Sequence, residues 1–222
     1  MQHEITASAP LLDEKGNLRE PGYAKRLLPI YRRADIKAPV ARIKEWDYYL
    51  VANDHFAVAL TIADNGYMGL DSVSFLQFDE GWQMTRSPMR AFPMGRTGLP
   101  ESSAAGNTAS SGNRHASGGR ELTFRMEDFL NRDTIEGHLL LTQEPEETMV
   151  ICTPFDKPGH FYYNQKINCM RAAGTVRIGG QTYTFDPADS FGVLDWGRGV
   201  WTYHNTWYWG SASGQVDGVP FG

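Results

Sequence analysis

The densest concentration of side chains able to do chemistry runs from Asp189 to Trp209: Asp-Ser-Phe-Gly-Val-Leu-Asp-Trp-Gly-Arg-Gly-Val-Trp-Thr-Tyr-His-Asn-Thr-Trp-Tyr-Trp. Taken as a strand from Gly199, its odd positions put Trp201, Tyr203, Asn205, Trp207 and Trp209 on one face, and its even positions put Val200, Thr202, His204, Thr206 and Tyr208 on the other. The first face is an aromatic wall suited to a flat or greasy ligand, although aromatics dominate ordinary β cores as well. Just upstream stands Asp195, beside Trp196, Gly197 and Arg198. A carboxyl set against an indole in a dry pocket can keep its proton and act as a general acid. Alternatively, Asp195 pairs with Arg198 or caps a turn. A second stripe, His160, Tyr162, Asn164, Lys166 and Asn168, shares one face of the run His160–Met170. If that face looks into a barrel its polar groups must bond one another or a ligand; if it looks to solvent they need no special account.

These residues make Asp195, with His204 or Tyr163 assisting, the candidate catalytic set. Trp196, Trp201, Tyr203, Trp207, Trp209, Asn164, Lys166 and Arg198 form the candidate ligand-binding set. The enzyme reading requires Asp195, His204 and Tyr163 to converge on one cavity.

Other chemistries find no foothold. The sequence has no H-E-x-x-H, no Cys/His zinc spacing, no phosphate-loop signature and no G-x-S-x-G. No metal site or cofactor is therefore expected. The formal charge of −5, from 26 acidic and 21 basic residues, supplies no broad basic field for nucleic acid. No apolar run approaches the ~18 residues of a spanning helix, so no stable membrane insertion is expected. The two cysteines, Cys152 and Cys169, make no C-x-x-C pair and no disulfide framework, and the N-terminus lacks signal-peptide character. A cytoplasmic protein is the expectation.

The elements that must carry these residues are strands. Arg42–Val51, Phe56–Ala63, Met68–Phe78 and Trp82–Met89 are joined by Asn53-Asp54, Asp64-Asn65-Gly66 and Asp79-Glu80-Gly81, a meander with turn chemistry at each joint. After a Ser/Gly/Asn-rich stretch, 102–119, expected to be disordered, strands resume at Glu121 and recur to Gly210. Gly179-Gly180 makes the clearest two-residue hairpin. About ten strands and no long amphipathic helix predict an all-β fold, an antiparallel meander closing into a barrel or packing as a sandwich. Residues 1–40 read as an N-terminal arm, in which Tyr23–Arg33 is a short helix broken by Pro29 or an extended segment on the barrel.

The runs Gln2–Thr6, Leu11–Gly16, Pro93–Arg96 with Leu99–Ser103, His160–Met170 and Gly192–Gly199 resemble the bacterial family known as domain of unknown function 2804. More remotely, Asp195-Trp196-Gly197 followed by Trp207-Tyr208-Trp209-Gly210 is similar to a pattern in lipocalin-like carotenoid hydratases and tocopherol cyclases. That resemblance implies a lipocalin-like (calycin-like) barrel over 41–210, with 211–222 beginning a second barrel absent from this chain. It implies a small apolar ligand and makes Asp195 an acid for a hydratase, isomerase or cyclase acting on an isoprenoid or polyene-like substrate. An early stop would also leave a sheet edge that could pair with another chain in self-association.

Overall fold

The computed structural model describes residues 3–104 and 119–222, with the backbone of two short strands between them. Within 102–119, expected to be disordered, residues 105–106, 109–112 and 117–118 lie outside the described residues, whereas 107–108 and 113–116 form two short strands. Strands run in chain order as β1 (Gly22–Ala24), β2 (Ile43–Ala52), β3 (Phe56–Asp64), β4 (Met68–Gln77), β5 (Trp82–Arg86), β6 (Met89–Ala91), β7 (Asn107–Thr108) and β8 (Asn113–Ala116). They continue as β9 (Gly119–Leu130), β10 (Asp133–Thr142), β11 (Met149–Pro154), β12 (Phe161–Ile178), β13 (Gln181–Phe185), β14 (Phe191–Val200), β15 (Gly214–Val216) and β16 (Val219–Phe221). The fold is all-β, as its alternating sequence predicts.

Fourteen strands form one antiparallel sheet whose main path is β5-β4-β3-β2-β14-β12-β10-β9-β8-β7. The meander is local in sequence, with Asp64–Gly66 turning β3 into β4: Asp64 Oδ1 accepts from the Gly66 amide at 2.9 Å. The decisive pairing is distant. β14 lies between β2 and β12, in register from Phe191↔Ala52 to Val200↔Ile43 on one side and Phe161↔Val200 on the other. The run His160–Met170, from Phe161 on, and the strand that leads into the Gly179-Gly180 hairpin are parts of one 18-residue strand, β12. It changes partners at a bulge between Ile167 and Met170, where Cys169 takes φ 60°.

The expected closed barrel is not formed. The sheet curls until β5 and β9 approach, and Arg86 Nε donates to the Phe129 carbonyl at 3.1 Å. No backbone ladder joins those two strands among the described residues. β5 is only five residues long and is followed by Ser87-Pro88, and proline has no N–H to extend a ladder. On the facing edge Asp128, at φ 52°, interrupts the extended backbone of β9.

The concave side of the curl is filled. Phe75, Leu122, Ile135, Leu139, Phe161, Ile167 and Val176 are buried there with Ile5, Leu11, Leu12 and Tyr31 of the N-terminal segment. That segment is extended rather than helical: Ile5, Leu11 and Ile30 are held by strand-like backbone bonds to Tyr23, Ile30 and Ala9. Its two short 3-10 turns lie later, at Arg33–Asp35 and Val40–Arg42.

Candidate functional site

β14 is buried along its whole length and presents alternate residues to two different environments. Leu194, Trp196, Arg198 and Val200 face the filled interior; Asp195, Gly197 and Gly199 face the convex side. β2 and β12 follow the same alternation. In β2, Ile43, Glu45, Asp47, Tyr49 and Val51 are buried inside, whereas Lys44, Trp46 and Tyr48 stand on the convex face. In β12, Tyr163, Gln165 and Ile167 go inward while Tyr162, Asn164 and Lys166 come out on the convex face.

The inward set is a polar clasp. The Arg198 guanidinium, with no exposed surface, donates through Nη2 to Asp47 Oδ1 at 3.0 Å and to the Pro100 carbonyl at 2.7 Å. Nη1 donates to the Trp46 carbonyl at 2.7 Å, and the guanidinium stacks 4.2 Å from the Trp196 ring. Glu45 accepts from the Tyr31 hydroxyl at 2.7 Å and from Arg33. Tyr163 donates to the Pro29 carbonyl at 2.7 Å and meets Trp196 edge-on at 5.3 Å. These contacts join the N-terminal segment and the 94–104 loop to the sheet. Burial drives the Tyr31 and Tyr163 phenols well above the usual tyrosine range.

The outward set borders a cleft of about 680 Å³. Its floor is Asp195, whose Oδ2 lies 2.6 Å from Lys166 Nζ and whose Oδ1 accepts from Trp46 Nε1 at 3.3 Å. Tyr48 and Tyr162 stand on the same floor, and burial, then the Asp195 carboxylate, pushes both phenols up, so both remain hydrogen-bond donors at neutral pH. Asn164 also lines the cleft, and its Oδ1 is buried without a hydrogen-bond partner. The two glycines of Asp195-Trp196-Gly197-Arg198-Gly199 are required by close approach. A methyl group on Gly197 would run into the Trp46 indole, and one on Gly199 into the Phe161 carbonyl.

The roof is the segment after β14. It was expected to continue the strand to Gly210, but pairing stops at Val200, where the registers with β2 and β12 both end. With no neighbouring backbone to pair, residues 201–210 turn back as a flap over the convex face. Trp201 packs on Tyr162 at 4.9 Å and Trp46 at 5.8 Å, Trp207 on Trp201 at 5.4 Å, and Trp209 on Tyr48 at 5.9 Å. Arg42 Nη2 holds the Trp201 carbonyl at 2.6 Å. The aromatic wall thus exists, but as a folded flap rather than one face of a strand.

Of the residues singled out in the sequence, Asp195, Asn164, Lys166, Trp201, Trp207 and Trp209 are brought together at this cleft. Trp196, Arg198 and Tyr163 belong to the interior clasp on the opposite side of the sheet. Tyr203 is 83% exposed and carries the Arg42 guanidinium 4.1 Å from its ring, and His204 is exposed in the turn of the flap. Asp195, His204 and Tyr163 therefore do not converge. Nor does Asp195 pair with Arg198, because strand residues three positions apart point to opposite faces. Lys44, Trp46 and Tyr48 border the cleft beside Tyr162 and carry no expectation from the sequence. The signal was present: Lys44, Trp46 and Tyr48 form a period-two stripe like Tyr162, Asn164 and Lys166, but nothing local says the two stripes share a face.

Residues 2–222 match the family described as domain of unknown function (DUF2804), and the chain belongs to that family. No curated protein matches it. Among solved structures, kievitone hydratase from Nectria haematococca is similar over 86% of this chain and 57% of its own, with 11% identity and a TM-score of 0.46. An AttH candidate from Nitrosomonas europaea is similar over 73% of this chain and 52% of its own, with 11% identity and a TM-score of 0.35. The chain spans little more than half the length of either structure.

Proposed function

We propose that this member of the DUF2804 family binds a small apolar molecule in the convex-face cleft, between the β2–β14–β12 floor and the Trp201–Trp209 flap. The curled sheet, on this reading, is a lipocalin-like fold left open between β5 and β9, whose interior serves stability and whose outer face serves the ligand. One observation carries it. An aromatic-walled cleft of about 680 Å³ has a single ion pair, Asp195–Lys166, at its floor. Apolar walls with few fixed polar groups are what small-molecule sites of ~300–1,000 Å³ share.

The test is intrinsic fluorescence, since Trp46, Trp201, Trp207 and Trp209 all border the cleft. Titration with retinoid, polyene and fatty-acid probes should give saturable quenching, and a Trp201→Phe/Trp207→Phe variant should lose most of its amplitude. A folded chain that no such probe quenches would overturn the reading.

A second reading, catalysis by a hydratase, isomerase or cyclase mechanism, is favoured by the grouping of Asp195, Lys166, Tyr48 and Tyr162 in one cleft. Here the proton donors are the Lys166 ammonium or a neutral phenol, and Asp195 orients them. His204 and Tyr163 have no part in it, since neither reaches the cleft. Incubation with polyene and isoprenoid alkenes, followed by mass detection of water addition or isomer formation, tests it. Turnover lost in both Tyr162→Phe and Asp195→Asn but kept in Tyr163→Phe is the expected pattern; no product with any of these alkenes counts against it.

A further inference from the structure

The cleft is electrically lopsided. At one end the ammonium of Lys166 is matched by Asp195 at 2.6 Å. At the other end no carboxylate among the described residues lies within ion-pairing distance of Lys44; its Nζ donates to the Asn65 carbonyl at 2.6 Å and lies 4.2 Å from the centre of the Tyr67 ring. The guanidinium of Arg42, in the turn just before the strand, is of the same sign and is spent on the Trp201 carbonyl and the Tyr203 face. Burial and then Arg42 lower the Lys44 pKa, with a smaller opposing pull from Asp64. Asp64 itself is fully buried and turned to the Gly66 and Gly95 amides and the Thr97 hydroxyl. Lys44 and Tyr48 stand four residues apart on one strand face, roughly 13 Å at strand spacing. Between them lie Trp46 and the flap indoles, with no charged side chain among the described residues.

We propose that the ligand of this cleft is an amphipathic monoanion, a carboxylate on an elongated apolar body, whose head group pairs with Lys44 and whose tail runs under the flap toward Tyr48 and Asp195. A head group arriving at Lys44 adds the counter-charge that the fold omits, and the neutralised pair at the far end presents no net charge to a hydrocarbon tail. The carbonyl of Asn65 and the ring of Tyr67 hold the ammonium in place before the ligand arrives.

This inference rests on the binding reading above, and one experiment separates the two. A fluorescent polyene fatty acid and its methyl ester are titrated side by side at pH 7.5 into the wild-type chain, Lys44→Gln and Lys44→Arg. In the wild type the acid should bind at least tenfold tighter than the ester, with a preference that weakens as salt rises. Lys44→Gln should reduce the ratio toward one, and Lys44→Arg should retain most of it, with circular dichroism confirming that each variant is folded. Acid and ester binding equally to the wild type, or a preference undiminished in Lys44→Gln, overturns the anionic ligand and leaves the apolar cleft standing. Binding of neither probe overturns both.

Discussion

Two regions separated by the thickness of one sheet, the interior clasp around Arg198 and the convex cleft around Asp195, draw on the same strand and treat charge in opposite ways. Inside, Arg198 is sealed and the two terminal nitrogens of its guanidinium are committed to Asp47 and three backbone carbonyls, with an indole against its face and Nε alone unbonded. Outside, Asp195 and Lys166 keep 12% and 13% of their side-chain surface exposed, and Asn164 Oδ1 next to them has no partner. The interior charges bind chain to chain, holding the N-terminal segment and the 94–104 loop against the sheet. Those outside are arranged around a space. A buried charge whose contacts are all intramolecular belongs to architecture, whereas polar groups left open beside an apolar void are where a ligand can bind.

The largest expected effect tests the clasp. Arg198→Met keeps the length of the side chain but leaves Asp47 buried without its guanidinium, and Glu45 with only Arg33 and Tyr31. Breaking a buried pair on one side costs about 3–5 kcal/mol, so chemical denaturation should show a loss of that order. A loss below about 1 kcal/mol would mean that the two faces do not differ in the way described.

Next comes Gly197→Ala, which acts at the boundary. The added methyl meets the Trp46 indole, and overpacking of this kind costs roughly 1–3 kcal/mol. Because Trp46 forms part of the cleft, probe quenching should fall together with the melting temperature, whereas Arg198→Met, assayed below its own transition, should keep its quenching.

Alkaline pH compares the faces through their tyrosines. Tyr31, Tyr49 and Tyr163 inside, and Tyr162 outside, are all pushed up chiefly by burial. The folded state then keeps protons that the unfolded chain releases near pH 10. Their contribution to stability is complete below about pH 10 and is lost as pH rises beyond it, by about 1.4 kcal/mol per pH unit for each phenol that stays protonated. Urea midpoints between pH 9 and 11.5 should fall accordingly. Tyr163→Phe should make the slope shallower by one phenol. Tyr162→Phe, whose phenol borders the open cleft, should do so less.

The smallest effect on stability is expected from Trp207→Ala. This ring is 65% exposed and rests only on the flap, so its removal should change stability by less than about 0.5 kcal/mol. Ligand quenching should nevertheless fall, and a variant that loses stability without losing quenching would assign the flap to the fold rather than to the cleft.

Thiol reactivity draws the same line between sealed and open positions. Cys152 is sealed in β11 and burial pushes its thiol up to about 12, whereas Cys169 sits half-exposed at the β12 bulge. A disulfide reagent at pH 8 should modify Cys169 first in the folded chain.

Much of the fold was legible because it is local. Alternation in Phe56–Asp64 and the Asp64-Asn65-Gly66 turn are properties of neighbouring residues, and so is the Gly179-Gly180 hairpin between β12 and β13. Alternation also placed Tyr162, Asn164 and Lys166 on one face without saying which way it looks. Asp195, Trp201, Trp207 and Trp209 were recognised as a group for a reason that proved only partly right. Their residue types were correct, but the strand said to align the tryptophans ends at Val200.

The sequence by itself determined the all-β class, the meander, the hairpin turns and the residue types able to build an aromatic cleft. The tertiary structure decided the insertion of β14 between β2 and β12, the open seam between β5 and β9, and which of the two faces of β14, that of Asp195 or that of Arg198, is the interior one. It also turned residues 201–210 from a strand into a flap. The physical reason is common to all four. A strand is completed by hydrogen bonds to partners distant in sequence, so where pairing stops, and which of two alternating faces is covered, depends on backbone that no local pattern encodes.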